Sequence, residues 1–501
     1  MVQGTASAVG KSLIVTGLCR IFKQDGFKVA PFKSQNIALN SFVTRDGKEM
    51  GRAQAVQAEA AGIEPSVAMN PILIKPASLH KTQVVVNGAV LDNLTVNAYH
   101  DLKPQLLEMI RDTYHALAKE YEIIVIEGAG SPVEINLKDR DLVNMGMAEL
   151  ADAPVVLVGD IDKGGVFAAL AGTMLLFTEA ERARVKGVII NKFRGDLALL
   201  KPGLEMLESI IRVPVLGVVP YTRLNLEDED SVSERLSRNS GPTGEIEIAI
   251  IKLPYISNFT DFNALEEIPG VKISYVDTSD SLGNPDLIVI PGSKNTIDDL
   301  LFLRNSGLET AIKRQLEKGI SIFGICGGFQ MLGLEIIDPE RAESELGRIS
   351  GMGLLKTTTI YQPKKQTTQV EGIITGGIGL LEGLDGLKVT GYEIHLGKTE
   401  YQTECFSYLT ITRTQDQKDQ RVDGLCNETG SVMGTYLHGI FDNYPFTVGV
   451  VNNLRKKKGL PPLTTTNFNY AKFKETQYDQ LADLLRNSLD LEKIYEIMNI
   501  S

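Results

Sequence analysis

One cysteine in the second half of the chain has the surroundings of a reactive thiol. Cys326 lies in the segment SIFGICGGFQML, where a short apolar run leads to the cysteine and a helix-like segment follows it. Gly324, Gly327 and Gly328 flank it, and glycines at a strand-to-helix junction permit a tight turn that larger residues resist. Such a nucleophile elbow exposes the sulfur, and the helix N-terminus favours the thiolate. We therefore interpret Cys326 as a nucleophile rather than as a buried structural cysteine.

The imidazole that would take the proton of this thiol can come from few places. A cysteine nucleophile is activated by a nearby base, and only two of the five histidines, His395 and His438, lie in this half of the chain. His438, in SVMGTYLHGIFDN, follows an apolar run and precedes a glycine, which favours a loop at the same sheet edge. His395, in GYEIHLGKT, is the alternative and is more typical of a substrate or domain interface.

Backbone N–H groups near two strand ends could stabilise an oxyanion. The segment PDLIVIPGSKNT places Gly292 and Ser293 directly after an apolar run, and Gly327 follows the cysteine. One such donor typically contributes about 3 to 4 kcal/mol to transition-state stabilisation. We predict that these N–H groups lie close together beside the thiol.

The first residues predict a phosphate-binding loop. The chain begins MVQGTASAVGKS, a glycine-rich turn entering a helix whose free N–H groups can bind phosphate. Gly4, Thr5 and Gly10 would shape the loop. Lys11 would reach the β- and γ-phosphates of a nucleotide, and Ser12 would lie beside Mg²⁺. Thr5 replaces the first glycine of the standard loop, a form that resembles the dethiobiotin synthetase group, whose enzymes make acyl-phosphate-type intermediates.

Charged residues at other strand ends would complete this nucleotide site. Glu127 ends the run EIIVIEGAG, where a carboxylate can hold Mg²⁺ together with Ser12. Lys33, in APFKSQN, could neutralise charge on a transferring phosphoryl group. Aspartates crowd two further loops, NLKDRDLVNMG and LVGDIDKGGVF, and although aspartate is common in loops, Asp141 and Asp160 are the candidates for metal binding or substrate orientation. We count Asp141 as a catalytic candidate.

The elements that must position these residues are those of an α/β protein. In residues 1–224, short Val- and Ile-rich runs alternate with helical stretches, which indicates buried parallel strands with crossover helices. Residues 225–245 are polar, with a Gly-Pro step, and predict a linker. The strand pattern resumes in residues 246–446, and residues 447–501 show helical spacing, which predicts a tail that packs on a domain surface.

Composition excludes several functional classes. The chain has 501 residues, 43% of them hydrophobic and 23% charged, which is typical of a soluble, multidomain protein. No apolar run is long enough to span a bilayer, and the start lacks the features of a signal peptide. The net charge of −12 and the four scattered cysteines argue against nucleic-acid binding and a disulfide framework. We expect a cytoplasmic protein; nothing indicates its oligomeric state.

Several segments together resemble the cobyric acid synthase family. They include APFKSQNIALNS, GRAQAVQAEAAG, NPILIKP, EGAGSPVEINLKDRDLVNMGMAELADAPVVLVGDIDKGGVFA, GICGGFQML, GYEIHLGKT and GTYLHGIFDN. The resemblance extends from the phosphate loop to about residue 443. It implies a P-loop-type parallel-sheet domain followed by a class I, triad-type glutamine amidotransferase α/β domain.

The resemblance also implies an activity and its residues. Members use ATP, Mg²⁺ and glutamine to amidate the b, d, e and g carboxylates of adenosylcobyrinic acid a,c-diamide, a corrinoid of cobalamin biosynthesis. The family's nucleophile matches Cys326, its histidine matches His438 and its acidic loop matches residues 139–141. Gly292, Gly327 and Gln330 are then candidates for the oxyanion hole or for glutamine binding.

Two segments depart from the expected pattern. Related glutaminases carry Glu two residues after the histidine, where this chain has Ile440, so either Asp442 or Glu393 could orient His438. The segment PASLHKTQ, which includes His80, differs from the usual run and affects expected substrate contacts.

Two other functions would use some of the same motifs. A related amidating enzyme, such as the a,c-diamide synthase or a ligase acting on a cell-wall carboxylate, would use the same parts on another substrate. A P-loop switch or partitioning protein would need neither the cysteine elbow nor its histidine.

Overall fold

A computed structural model describes residues 1–76, 82–136, 138, 141–222, 224–226, 244–415, 417–464 and 469–500. Most of the predicted linker lies outside these residues. Among the described residues, no helix is both long and apolar enough to cross a membrane.

The first half of the chain contains twelve strands within its described residues. In chain order the helices and strands are β1 (Val2–Gly4), α1 (Lys11–Gln24), β2 (Val29–Phe32), β3 (Gln35–Ile37), β4 (Ser41–Val43), β5 (Glu49–Gly51), α2 (Arg52–Ala61), β6 (Ile72–Pro76), β7 (Thr82–Val86), β8 (Ala89–Leu94), α3 (Val96–Ala118), β9 (Ile123–Ile126), α4 (Met145–Leu150), β10 (Val155–Asp160), α5 (Val166–Leu176), α6 (Glu179–Arg184), β11 (Val185–Phe193), α7 (Leu197–Ile211) and β12 (Val215–Pro220).

A parallel sheet forms the centre of this half. Strands β1, β10, β11 and β12 pair in that order, β2 pairs with β9, and a parallel bridge from Val2 to Glu127 joins the two groups. The strands are rich in Val and Ile and nearly all buried, as expected for strands covered by helices on both faces. Because they are parallel, their carboxyl ends meet at one edge, where ligands bind in such sheets.

A second, smaller sheet was not predicted from the sequence. Strands β3, β6, β7 and β8 form a mixed sheet, and β4 and β5 form a separate hairpin. The hairpin faces the second half of the chain: the side-chain amide of Gln369 donates to the Val43 carbonyl at 2.8 Å. This part of the first half is therefore an interface as well as a scaffold.

The second half is built on one large sheet. Its elements are β13 (Ile246–Ile251), α8 (Asn263–Glu266), β14 (Val271–Val276), β15 (Leu287–Ile290), α9 (Thr296–Asn305), α10 (Leu308–Glu317), β16 (Ser321–Ile325), α11 (Gly327–Leu332), β17 (Glu335–Ile337), β18 (Arg348–Ser350), β19 (Thr357–Ile374), β20 (Lys388–Tyr401), β21 (Phe406–Thr414), β22 (Gln417–Cys426), β23 (Val432–Thr435), α12 (Tyr444–Lys457), α13 (Tyr470–Ser488) and α14 (Leu491–Ile497).

The large sheet of the second half also contains a group of parallel strands, whose carboxyl ends lie at one edge of the sheet. Strands β14, β13, β15, β16 and β23 are parallel neighbours, and antiparallel strands β22, β21 and β19 extend the sheet. Strands β19 and β20 pair antiparallel over most of their length. The predicted α/β class, with a parallel sheet in each half, is confirmed.

The carboxyl-terminal helices pack on different parts of the molecule. Helix α12 packs into the core of the second half, whereas α13 contributes Leu481 and Leu485 to the core around α1. The buried Arg20 of α1 forms ion pairs with Asp479 at 2.7 Å and Glu475 at 2.8 Å. The end of the chain thus returns to the first half.

Candidate active sites

The glycine-rich segment connects β1 to α1 through a turn that needs its glycines. Gly10 has φ +98°, and a Cβ at this position would lie 2.1 Å from the Asn191 amide nitrogen. A Cβ on Gly4 would lie 2.6 Å from a methyl group of Val9. Thr5, the departure from the standard loop, donates its N–H to the Val158 carbonyl at 3.0 Å. The loop is therefore held against the sheet by backbone contacts.

Two lysines border this loop at the start of α1. Lys11 Nζ donates to the carbonyls of Ala6 and Gly130 at 3.0 and 3.2 Å, and Lys192 Nζ donates to the Ala8 carbonyl at 2.7 Å. A 14-residue helix begins at Lys11, so its N-terminal dipole adds to these charges. The arrangement fits a polyphosphate.

The Glu127 carboxylate accepts hydrogen bonds from three side chains beside the loop. Its Oε1 accepts from Ser12 Oγ at 2.9 Å and from Lys33 Nζ at 2.8 Å, and its Oε2 accepts from the Gln57 amide at 2.5 Å. Glu127 is fully buried, and a buried carboxylate is stable only when paired and hydrogen-bonded. Carboxylate and hydroxyl oxygens are ligands that Mg²⁺ prefers, so Ser12 and Glu127 fit a magnesium nucleotide.

The aspartate candidates have local contacts. The Asp141 carboxylate accepts three backbone N–H groups in the turn that leads into α4 and in the first residues of that helix, at 2.9 to 3.1 Å, so it holds this turn in place. Asp160 accepts from Lys192 Nζ at 2.9 Å and so belongs to the border of the phosphate loop. Asp139 and His80 lie outside the described residues.

Cys326 lies in a strained turn between β16 and α11. Its backbone has φ +51° and ψ −107°, a conformation that non-glycine residues rarely adopt and that costs about 1 to 3 kcal/mol. A Cβ on Gly328 would lie 2.0 Å from the Ile290 carbonyl oxygen, so the helix crosses the neighbouring strand more closely than any other residue allows. The elbow geometry expected from the sequence is present.

His438 is held by a carboxylate that sequence reasoning missed. Its Nδ1 lies 2.7 Å from Asp261 Oδ2, and both side chains are buried. Neither Asp442 nor Glu393 has this role. Glu393 instead pairs with Arg421 at 2.7 Å, because it lies on β20 and faces away from His438.

The surroundings of His438 favour its protonated form. Burial opposes the charge, but the Asp261 carboxylate beside it and the hydrogen bond to Cys326 outweigh burial and raise the pKa of His438 to about 10. The Tyr392 ring stacks on the imidazole at a centroid distance of 5.2 Å. Cysteine, histidine and aspartate thus form a buried chain in which a charged imidazole lies beside the sulfur, the arrangement of a cysteine nucleophile and its base.

The predicted oxyanion donors converge near the cysteine. A Cβ on Gly327 would lie 2.9 Å from the Ser293 nitrogen, and one on Gly292 would lie 3.0 Å from His438 Cε1. The bridge between residues 256 and 293 uses the Gly292 carbonyl and the Lys294 N–H, which leaves the Ser293 N–H out of the pairing. Whether these N–H groups act on an oxyanion remains a prediction.

Gln330 and His395 line the same pocket as Cys326. Gln330 accepts from the Tyr361 hydroxyl at 3.1 Å and donates to the Tyr436 hydroxyl at 3.2 Å. His395 stacks on Tyr436 at 3.8 Å, and its Nδ1 lies 2.7 Å from the Gly397 carbonyl. His395 therefore belongs to the pocket wall, whereas His438 is the histidine that contacts Cys326.

The first half of the chain touches this site directly. Asn258, with φ +52° and only 2% exposed, accepts from the Ser41 N–H at 2.9 Å. Its amide nitrogen lies 3.5 Å from His438 Nε2. The neighbouring Asn40 side chain accepts from the Phe259 N–H at 3.2 Å. Since Lys33 lies only a few residues before Asn40, one short segment connects the two candidate sites.

The missed residues carried weak signals. Asp261 and Asn258 both occur in SNFTDFNAL, after β13 and at the sheet edge that carries the other site residues. An asparagine and an aspartate next to two phenylalanines, shortly after a buried strand, are the feature that could have drawn attention to them. Gln57 lies in an alanine-rich helix and gave no comparable signal.

Family models match both halves. Residues 1–231 match the CobQ/CobB/MinD/ParA nucleotide binding domain, and residues 247–446 match the CobB/CobQ-like glutamine amidotransferase domain. A nucleotide-binding loop domain joined to a cysteine–histidine amidotransferase domain defines a glutamine-hydrolysing amide ligase.

Curated relatives cover the whole chain. The chain is 54% identical over 499 residues to the cobyric acid synthase of Thermoanaerobacter sp. strain X514. The matched region covers 99% of this chain and 98% of the relative. It is 53% identical over 500 residues to the enzyme of that name from Alkaliphilus metalliredigens, with 99% of both chains covered. The chain belongs to the cobyric acid synthase family, as its segments suggested.

Proposed function

We propose that this protein catalyses the ATP- and glutamine-dependent amidation of the b, d, e and g carboxylates of adenosylcobyrinic acid a,c-diamide, giving adenosylcobyric acid in cobalamin biosynthesis. Support comes from full-length relatives that bear the name cobyric acid synthase. It comes also from two adjoining sites with complementary chemistry. The observation that carries the proposal is the short segment that links Lys33 at one site to Ser41 at the other.

The first site would activate the carboxylate. A carboxylate oxygen attacks the γ-phosphorus of ATP, ADP leaves, and an acyl phosphate forms. Lys11, Lys33 and the start of α1 would stabilise the transferred charge. Mg²⁺ held by Ser12 and Glu127 would neutralise further charge on the phosphates. Ammonia then attacks the acyl carbon and expels phosphate, which leaves the amide.

The second site would release the ammonia. The Cys326 thiolate attacks the side-chain carbonyl of glutamine, His438 protonates the departing nitrogen, and ammonia leaves a thioester. Water hydrolyses the thioester to glutamate and restores the thiolate. Asp261 would keep the imidazole oriented and stabilise its charge.

Ammonia must pass between the sites without protonation by bulk water. We propose a sheltered route along the interface formed by β4, β5 and residues 257–259, because water exclusion prevents loss of a reactive intermediate. Closed contacts such as Asn258 to Ser41 are consistent with that route.

The decisive experiment follows corrinoid mass during incubation with the a,c-diamide, ATP, Mg²⁺ and glutamine. Four successive acid-to-amide steps are expected. Absence of any mass change, with glutaminase activity intact, would direct the search to another carboxylate. In a parallel incubation with cobyrinic acid as the corrinoid, amidation at the a and c positions would instead identify the related diamide synthase activity.

A further inference from the structure

The pocket at Cys326 contains groups that the hydrolysis step itself does not use. Besides the cysteine and its neighbours, Lys75 and Gln83 from the first half and Lys294, Glu343 and Lys365 from the second half line it. Lys75 and Gln83 face each other across the β6–β7 hairpin. The hairpin therefore presents an adjacent cation and amide to the glutaminase site of the other half.

Two of these lysines share one carboxylate. Glu49 pairs with Lys75 at 2.7 Å and with Lys365 at 2.6 Å, and the Ser41 hydroxyl donates to Glu49 at 2.7 Å. Glu49 and Lys75 are almost fully buried. This cluster joins the two halves but leaves one positive charge in excess, so the pocket is favourable for an anion.

Lys294 is a second, unpaired source of positive charge. It is 9% exposed, and its ammonium group makes neither a hydrogen bond nor an ion pair with any residue that the structure describes. Lys294 also follows Gly292 and Ser293, the candidate oxyanion donors. Burial lowers the pKa of Lys294, because a buried cation without a hydrogen-bonded partner is costly. A ligand anion bound beside its ammonium group would offset that cost.

Gln83 supplies a hydrogen-bond acceptor, which suits a cationic group of a ligand, whereas the Lys294 ammonium suits an anionic one. It is 4% exposed, and its Oε1 has no hydrogen-bond partner among the described residues. Glu343 lies in the same pocket and is within electrostatic reach of Lys294. Within the described part of the chain, the pocket thus contains both an ammonium group without a hydrogen-bond partner and acceptor oxygens on Gln83 and Glu343.

We propose that this junction binds the amino-acid end of glutamine, with Lys294 on the α-carboxylate and with Gln83 and Glu343 on the α-ammonium. The inference rests on the proposed glutaminase role of Cys326, which would act on the amide end of the same molecule. An α-amino acid is the ligand class that presents one carboxylate and one ammonium at adjacent positions. Because Gln83 comes from the first half, the glutamine site is complete only when both halves are docked.

The test uses the full-length protein and substrates that lack one group each. Glutaramic acid lacks the α-amine of glutamine, and γ-aminobutyramide lacks its α-carboxylate. Glutaminase kcat/KM is measured for all three substrates with wild type, Lys294→Met and Gln83→Met. Losing one hydrogen bond to a charged group typically lowers kcat/KM about 10- to 100-fold.

Each variant should therefore affect a different pair of substrates. Lys294→Met should lower kcat/KM for glutamine by about 10- to 100-fold and leave that for γ-aminobutyramide unchanged. Gln83→Met should lower kcat/KM for glutamine and leave that for glutaramic acid unchanged. Equal losses on all substrates, or no loss on glutamine, would overturn the assignment.

Two controls separate this inference from its premise. Lys364→Met removes an exposed lysine from the same strand as Lys365 and should behave as wild type. Amidation driven by ammonium salts should persist in every variant that is correctly folded. If Cys326→Ser still hydrolysed glutamine, the proposed role of Cys326 in glutamine hydrolysis would itself be wrong. If hydrolysis required Cys326 but the variants kept wild-type discrimination among the substrates, only the amino-acid site would be wrong.

Discussion

The two candidate sites differ in how their residues are assembled. The phosphate site takes Gly10, Lys11 and Ser12 from one loop and adds Lys33 and Glu127 from neighbouring strand ends of the same sheet. The cysteine site combines an elbow with side chains from separate segments, and Asn258 connects it to the other half. The candidate phosphate site is thus built largely from one local loop, whereas residues of both halves line the candidate glutaminase site.

The largest effect that tests this comparison is removal of the thiol. Cys326→Ala should lower glutamine-dependent amidation by about 10⁵-fold, because no other group can form the thioester. Amidation with ammonium salts should continue at close to the wild-type rate, measured by corrinoid mass. If both activities disappeared, the two sites would not be separable.

Asp261→Asn should give the next largest loss. Without the carboxylate, His438 loses its orienting charge, and glutaminase kcat should fall by about 10³- to 10⁴-fold, as in other triads. Glutamate production is the measurement. Glu393→Gln is the matched control, since Glu393 was a candidate for this role but pairs with Arg421; its glutaminase rate should stay well above that of Asp261→Asn.

The same variant should change the pH behaviour of His438. The pKa of about 10 lies above the ordinary value of about 6.5, so folding favours the protonated imidazole. Its contribution to stability is present in full below about pH 6.5 and is lost as the pH rises through about 10. NMR titration should show the His438 pKa lower in Asp261→Asn; an unchanged pKa would exclude Asp261 as its cause.

A change in the phosphate site should impair amidation but not glutamine hydrolysis. Lys11→Met should lower amidation about 10²- to 10³-fold with either glutamine or ammonium salts, because it removes charge stabilisation from phosphoryl transfer. Glutamine hydrolysis measured without ATP should be preserved. Loss of hydrolysis in this variant would show that the phosphate loop is not a separate local site.

The smallest predicted effect concerns the connection between the sites. Asn258→Gly keeps the left-handed backbone but removes the contacts to Ser41 and His438, and it should lower glutamine-dependent amidation about 10-fold, comparable to one lost buried hydrogen bond. The ammonium-dependent rate should not change. Asn87→Gly is the control, because Asn87 also has positive φ, at 47°, but lies in an exposed turn. Equal effects of both variants would remove Asn258 as a coupling residue.

Sequence reasoning succeeded where chemistry and backbone geometry share one segment. The glycines around Cys326 predicted an elbow because only small residues permit the close crossing seen at Gly328. The sequence also predicted that Ser12, Lys33 and Glu127 lie close together, because parallel strands end at one edge of the sheet. The mixed sheet of β3, β6, β7 and β8 could not be predicted, because its short strands have no periodicity that distinguishes them from loops.

The amino-acid sequence by itself determined the α/β class, the family and the residue types of a phosphate loop and a cysteine elbow, because each depends on local spacing. Only the tertiary structure decided that Asp261 orients His438 and that Asn258 and Gln83 reach the glutaminase pocket. Gln83 and Cys326, for example, line one pocket although 243 positions (326 − 83) separate them in the chain. Distant contacts of this kind are fixed by packing of the two halves, to which no local pattern corresponds.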